Sequence, residues 1–215
     1  MDNTTKPTIG IIGAGRLGTV LTRQALKKEY VVRIANSKGP ESLQLILSVL
    51  MPKAIASTVE ETITKSDLVI LAIPLHQYKN LDPELFQGKI IIDAMNYWPS
   101  TEGYIEEFSG NTSSSSEFLQ SYFHKATLIK TLNHVAHNEL DEHSLPKGDP
   151  ERRAIALAGD DTKAKKTVEQ FIDDLGFDSI DAGELKEGRK FQPDTKLFNA
   201  RYTQKEMEDE LEKTK

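Results

Sequence analysis

The strongest constraint on the fold is a glycine-rich segment near the start of the chain. Gly13-Ala-Gly-Arg-Leu-Gly18 follows directly on the apolar run Ile9–Ile12 and precedes a stretch with helical periodicity, residues 17–28. In such a G-x-G-x-x-G, the glycines permit a tight turn, backbone approach to a pyrophosphate, and close packing of helix on strand. Free N–H groups at the helix start attract phosphate. The motif therefore predicts a dinucleotide-binding domain, against the alternative of a purely structural glycine turn.

The rest of the chain alternates between short apolar runs and amphipathic stretches. Continuous apolar runs are typical of strands that are buried on both faces of a parallel sheet. We predict strands at 9–12, 31–35, 54–56, 68–73, 90–93, 127–130, 154–158 and 179–181. Helical stretches between them predict right-handed βαβ units, and so an α/β fold with a doubly wound, mainly parallel Rossmann-type sheet. We expect one dinucleotide-binding domain over residues 8–185 and a C-terminal extension, 186–215, with a charged helix.

Composition narrows the class of protein. The 215 residues carry a formal net charge of −6, which argues against nucleic acid or an anionic membrane as partner. Cysteine is absent, which excludes disulfides, thiolate nucleophiles and cysteine metal sites. No apolar run approaches the roughly 20 residues that span a bilayer. Residues 1–7 are polar and unlike a signal peptide, so we expect a cytoplasmic protein.

The end of the second predicted strand indicates which dinucleotide is bound. NAD-binding folds carry an acid there that binds the ribose 2′-hydroxyl. This chain has Asn36, Ser37 and Lys38 instead, and its next acid is Glu41. A hydroxyl and an ammonium suit a 2′-phosphate, and Arg16 could add charge from the glycine loop. The sequence therefore favours NADP over NAD, against the alternative that this segment is an ordinary solvated turn.

Four further strand ends are expected to meet at the carboxyl edge of the sheet, where ligands of such folds bind. They are residues 72–76, 93–99, 130–134 and 181–183. From the first three segments we predict seven cofactor-binding residues: Ala72, Ile73, Pro74, His76, Met95, Asn96 and Asn133. Tyr97 and Trp98 either stack on a planar ring or simply cover the sheet edge.

Histidines near this edge leave alternatives open. His134 and His137 have the spacing of a metal pair on a helix, although a third protein ligand for zinc is not evident. A histidine could also donate a proton near the nicotinamide, and His76 has the better position for it. Packing against the pocket wall is the alternative for each. We predict neither a metal site nor a catalytic side chain, since hydride transfer between two redox rings depends on stacking and distance control.

Six segments together resemble the coenzyme-F420-dependent NADP oxidoreductases. Residues 9–18, 36–43, 72–74, 93–96, 130–133 and 176–183 stand in the order seen in that family, and the resemblance runs from about residue 8 to 190. It is shared in part with the reductase domain of the STEAP metalloreductases and with pyrroline-carboxylate reductases. The bulky Tyr97-Trp98 loop and the segment that follows Gln192 depart from the F420 enzymes.

The resemblance implies a specific arrangement of NADP(H). Gly13, Ala14, Gly15, Arg16, Leu17 and Gly18 would hold the pyrophosphate, and Ser37 with Lys38 would hold the 2′-phosphate. The nicotinamide would lie near Ile73 and Pro74, with a small-molecule acceptor such as F420 or a flavin stacked on it. Reduction of a small imine or carbonyl, and redox sensing without catalysis, are the alternatives. A homodimer is expected, because a neighbour could close an open acceptor site.

Overall fold

The computed structural model describes residues 6–108 and 114–214. A single eight-stranded sheet organises it, with the strand order β3-β2-β1-β4-β5-β6-β7-β8. The strands are β1 Ile9–Ile12, β2 Val32–Ala35, β3 Ile55–Ala56, β4 Leu68–Leu71, β5 Ile90–Asp93, β6 Thr127–Thr131, β7 Ala154–Ala158 and β8 Asp178–Asp181. All eight predicted strands are present, which confirms the predicted Rossmann-type α/β fold.

Helices connect these strands. The α-helices are α1 Arg16–Lys27, α2 Gln44–Leu50, α3 Val59–Thr64, α4 Pro99–Glu102, α5 Ser115–Tyr122, α6 His137–Glu142, α7 Thr162–Leu175 and α8 Gln204–Lys213. Short 3-10 helices span Pro40–Leu43, Leu75–Asn80, Pro83–Phe86 and Leu185–Phe191. Local sequence fixes several ends: the Asp161 side chain accepts the Ala164 N–H at the start of α7, and Gly176 ends that helix with φ 98°.

One strand pairing reverses the direction of the sheet. Strands β1 to β6 are parallel, but β6 pairs with β7 antiparallel through Lys130 and Ala158, and β8 follows β7 in parallel. The carboxyl ends of β7 and β8 therefore point to the opposite edge from those of β1 to β6. The prediction that residues 181–183 join the other three strand ends is wrong, since it assumed that every strand runs in one direction.

The segment after β8 packs on the sheet. Phe191, Leu197, Met207 and Leu211 are buried with the alanines of β7 in one apolar cluster. The predicted charged helix is present as α8, with Lys215 outside the described residues, and its Met207 side chain is fully buried. Within residues 6–108 and 114–214, no helix combines the length and apolar character that crossing a bilayer would need.

Candidate functional site

Two neighbouring cavities lie at the carboxyl ends of β1, β2, β4 and β5. The larger cavity has a volume of about 460 Å³ and is lined by Ile12, Gly13, Ala14, Gly15, Asn36, Ser37, Lys38, Val59, Ala72, Ile73, Pro74, Gln77, Asn80 and Leu81. The smaller cavity has about 280 Å³ and is lined by Leu17, Ala72, Ile73, Pro74, Ala94, Met95, Asn96, Trp98, Thr101 and Glu102. The turn Ala72-Ile73-Pro74 forms a wall of both cavities, so the two lie side by side.

The glycine loop forms the floor of the larger cavity. Gly13 has φ +115°, and a Cβ atom there would lie 2.3 Å from the Ala72 carbonyl oxygen. A Cβ atom on Gly18 would lie 1.8 Å from the Gly13 carbonyl oxygen, whereas one on Gly15 would meet nothing within 4 Å. Gly15 is the N-cap of α1, and no side chain caps its N–H groups. Open space at Gly15 beside uncapped helix N–H groups fits a pyrophosphate.

The loop after β2 closes one end of the larger cavity. The Asn36 side chain orders this loop, because its Oδ1 accepts the Lys38 N–H at 2.9 Å and its Nδ2 donates to Ser42 Oγ at 2.9 Å. Ser37 and Lys38 are exposed at the cavity, and within the described residues their side chains have no hydrogen-bond or ion-pair partner. A hydroxyl and an ammonium are thus presented to the same space, with no carboxylate among the lining residues.

Asn96 lies in the wall of the smaller cavity and is held from behind by Asn133. The Asn96 Nδ2 donates to the Asn133 carbonyl oxygen at 2.7 Å, and the Asn133 Nδ2 donates to Asn96 Oδ1 at 3.0 Å. Asn133 Nδ2 also donates to the Phe191 carbonyl oxygen at 2.9 Å. Asn133 therefore lies behind the wall, and it joins the β5 and β6 loops to the C-terminal segment.

A buried charge pair supports Met95 in the same wall. Lys130 Nζ donates to Asp93 Oδ2 at 3.1 Å and to the Met95 carbonyl oxygen at 2.5 Å, and both charged side chains are fully buried. The Ser116 hydroxyl and the Met95 N–H also donate to Asp93. Burial lowers the pKa of Lys130, while Asp93 acts in the opposite direction. Our sequence analysis missed this pair, although a charged residue in each of two apolar strands was a signal for it.

The aromatic residues of the β5 loop have different surroundings. Tyr97 packs on Phe108, and its hydroxyl donates to the Gly103 carbonyl oxygen at 3.0 Å. Trp98 lines the smaller cavity and contacts the Phe198 ring edge to face, with 5.5 Å between ring centroids. Of the two, Trp98 is thus the one that offers a ring surface to a ligand, and Tyr97 stabilises its own loop.

His76 does not line the smaller cavity itself, but it follows the lining residue Pro74 by two positions and contacts the lining residue Glu102. Its Nδ1 is 2.8 Å from Glu102 Oε1, and the Glu102 side chain is only 6% exposed. Glu102 is a lining residue that our sequence analysis missed, since α4 gives no local signal of a contact with residue 76. Four predicted cofactor-binding residues line neither cavity: Arg16, Gly18, His76 and Asn133.

His134 is a core residue. Its ring is fully buried against Phe191, and its Nε2 accepts the Ala156 N–H at 3.2 Å. Burial, then the charges of Arg153 and Lys130, lowers the pKa of His134 from 6.5 to about 3. His134 is therefore neutral and is no proton donor, and it does not share a helix with His137, at which α6 begins. The alternatives of a metal pair on a helix and of proton donation by His134 are wrong.

A match to a known family adds to this geometry. Residues 8–97 match the family model described as NADP oxidoreductase, coenzyme F420-dependent. This segment, 90 of the 215 residues, is similar to that family. It contains the glycine loop, the Ser37–Lys38 loop and the Ala72–Pro74 turn, so the predicted resemblance is confirmed. The description of that family agrees with the predicted class of enzyme, an NADP-dependent oxidoreductase.

Relatives and solved structures extend the likeness along the chain. Metalloreductase STEAP3 of Rattus norvegicus is 24% identical over 189 residues, which are 86% of this chain and 36% of that protein. A hypothetical protein from Sinorhizobium meliloti has a similar structure, with a TM-score of 0.80 and 26% identity over 92% of this chain and 95% of the other. An Arthrobacter protein that carries the name F420-dependent NADP-reductase has a TM-score of 0.73 and 22% identity, over 85% and 87% of the two chains.

Proposed function

We propose that this protein transfers hydride between NADP(H) and a planar redox acceptor, such as an F420-like deazaflavin or a flavin. The observation that carries the proposal is the wall shared by the two cavities, Ala72-Ile73-Pro74. Phosphate-binding features lie on one side of this wall, and the indole of Trp98 lies on the other. A dinucleotide along the strand ends would bring its nicotinamide to the wall, where an acceptor ring could stack on it.

The cofactor's phosphates would bind at the larger cavity. The N–H groups at the start of α1 and the open space over Gly15 suit the pyrophosphate. Ser37 and Lys38 suit the 2′-phosphate, with Arg16 exposed nearby at the first turn of α1. Met95 and Asn96 would border the nicotinamide, with Asn133 fixing Asn96. Bound NADPH supplies the hydride, and these residues supply position and orientation.

The direct test measures NADPH oxidation with a panel of acceptors: FMN, FAD, an F420 analogue, quinones and ferric chelates, with NADH in parallel. We expect turnover with at least one planar acceptor and a preference for NADPH. Tight NADPH binding without turnover across the panel would overturn the proposal and would support a redox-sensing role.

Specificity for the 2′-phosphate gives a second test. In the variant Ser37→Asp with Lys38→Ala, a carboxylate replaces a hydroxyl and a cation is lost. We expect the preference for NADPH over NADH to fall by about tenfold to a hundredfold, the value of one or two charge-assisted hydrogen bonds. Isothermal titration with both cofactors measures it, and Lys53→Ala, an exposed lysine outside the cavity, serves as the matched control. Unchanged preference would contradict the assignment.

We also propose that the protein acts in the cytoplasm as a homodimer. Trp98, which lines the smaller cavity, is 40% exposed. A second copy of the chain could therefore cover this side of the cavity and the acceptor bound there. Light scattering coupled to gel filtration tests the oligomeric state, and a monomer at micromolar concentration in the presence of NADPH would contradict it.

A further inference from the structure

Reduction of a planar acceptor requires a proton as well as a hydride. For a flavin, deazaflavin or quinone (A), the balanced reaction is NADPH + A + H⁺ → NADP⁺ + AH₂. The hydride leaves the nicotinamide of NADPH, and a proton must reach a ring nitrogen or oxygen of the acceptor. This inference rests on the proposed function, and it concerns the source of that proton.

The Glu102 carboxylate joins two segments of the chain, one after the lining residue Pro74 and one that begins at the lining residue Trp98. Its Oε1 accepts from His76 Nδ1 at 2.8 Å and from the His76 main-chain N–H at 3.2 Å. Its Oε2 accepts the Trp98 N–H at 3.1 Å. Three hydrogen bonds thus hold this nearly buried carboxylate between the segment after Pro74 and the start of α4. The imidazole is thereby fixed beside the cavity.

This contact determines which nitrogen of His76 can deliver a proton. An ionised carboxylate only accepts, so Nδ1 carries its proton towards Glu102, and Nε2 is left for exchange. Among the described residues, Nε2 has no hydrogen-bond partner. The side chain of His76 is 47% exposed, so solvent can reload it after each transfer.

Other titratable groups near the cavity are unsuited to this role. Asp93 and Lys130 are fully buried behind Met95 and are bonded to each other. His134 is fully buried, and its Nε2 already accepts a main-chain N–H. Thr101 lines the cavity, but its hydroxyl donates to the Trp98 carbonyl oxygen at 3.2 Å. His76 combines solvent access with a contact to Glu102, a carboxylate that lines the cavity.

We propose that His76, oriented by Glu102, donates from Nε2 the proton that accompanies hydride transfer to the acceptor. The Nε2–H bond breaks as the new N–H or O–H bond of the acceptor forms, and solvent returns the proton to the imidazole. Glu102 acts as a positioning residue, since it holds the tautomer and the direction of the ring. Nε2 of the same imidazole would accept the proton when the reaction runs from AH₂ to NADP⁺.

The test compares His76→Asn with the matched control His124→Asn. Asparagine keeps a donor for Glu102 but cannot transfer a proton. His124 also lies near a glutamate, 3.9 Å from Glu84, but at the opposite edge of the sheet. With the fastest planar acceptor of the panel, we expect kcat of His76→Asn to fall by about a hundredfold, the scale of general acid catalysis. NADPH affinity should stay within about twofold of the wild-type value, and His124→Asn should behave as wild type in both.

Two further measurements separate chemistry from structure. Added imidazole should restore part of the activity of His76→Ala, which a merely structural role would not allow. Glu102→Gln should give a fall in kcat of about tenfold, smaller than that of His76→Asn, because water can partly orient the ring. Unchanged kcat in His76→Asn, or no rescue of His76→Ala by imidazole, would overturn the proposal while leaving the proposed function intact. Turnover by the wild type with ferric chelates alone would overturn both this proposal and the proposed function, since those acceptors take electrons without a proton and are not planar redox rings.

Discussion

At the scale of single residues, the glycines of the first loop are required for different physical reasons. Gly13 and Gly18 lack room for a methyl group, because carbonyl oxygens of the protein occupy the space. At Gly15 a methyl group would meet no atom within 4 Å, so the fold of the protein does not require glycine at this position. The proposed explanation for Gly15 is therefore the approach of a ligand, whereas Gly18 is explained by packing alone.

Alanine substitutions should separate these two reasons. Gly15→Ala should leave unfolding without cofactor within about 0.5 kcal/mol of wild type and weaken NADPH binding by about tenfold or more, because the methyl group meets the pyrophosphate. Gly18→Ala should lower the free energy of unfolding by about 1–3 kcal/mol through overpacking. Urea unfolding and NADPH fluorescence titration measure both quantities. Wild-type affinity in Gly15→Ala would argue against a pyrophosphate at this loop.

His134 should make stability depend on pH in a defined window. The unfolded chain binds a proton on this ring below about pH 6.5, but the folded chain does so only near pH 3. Stability is therefore complete above pH 6.5 and falls as the pH drops, by up to about 1.4 kcal/mol per unit. Urea unfolding between pH 7 and 5 should show this slope in wild type and in the control His124→Asn. His134→Gln should lack it, and an unchanged slope there would contradict the buried, neutral ring.

At the scale of elements, local patterns located the strands and most helix ends, but not their directions. The apolar run 154–158 looks the same whether the strand runs parallel or antiparallel to its neighbour, so the reversal at β7 could not be predicted from it. The many charged residues of α8 likewise made its buried face hard to predict. Met207 and Leu211 are two apolar residues four positions apart in an otherwise polar helix. Four-residue spacing was the available signal, and the prediction of a charged helix did not use it.

The contact of α8 with the sheet should contribute measurably to stability. Met207 is fully buried against the alanines of β7, so Met207→Ala should cost about 2–5 kcal/mol by leaving a cavity. Asp209→Ala, at an exposed position of the same helix, should change the free energy of unfolding by less than about 0.5 kcal/mol. Chemical denaturation measures both. Equal effects would mean that α8 does not pack as described.

At the scale of the whole molecule, the site is assembled from loops that are distant in sequence. The larger cavity joins residues 12–15, 36–38 and 72–81, and the smaller one adds residues 94–102. Behind the smaller cavity, Asn133 ties its wall to Phe191, and Phe198 contacts Trp98 at its opening. A ligand that bridges both cavities would therefore stabilise contacts across most of the chain.

Cofactor binding should thus raise the thermal stability of the whole domain. At a concentration one hundred times its Kd, NADPH should add about 2.7 kcal/mol to the free energy of unfolding. That corresponds to a rise in Tm of roughly 5–10 °C for a domain of this size. Differential scanning fluorimetry should show a smaller rise with NADH at the same concentration, and Ser37→Asp with Lys38→Ala should abolish the difference. Equal shifts from both cofactors would speak against 2′-phosphate recognition.

The sequence by itself determined the strand-to-helix turn at Gly13–Gly18, the strand positions and the absence of an acid after β2. These are local properties, set by side-chain size, periodicity and charge over a few neighbouring residues. Only the tertiary structure decided the pairing of His76 with Glu102, of Asp93 with Lys130 and of Trp98 with Phe198. These pairs are 26, 37 and 100 positions apart, so they depend on strand order, register and the return of the C-terminal segment across the sheet. No local pattern encodes those distances, and the chemistry proposed for His76 follows from one of them.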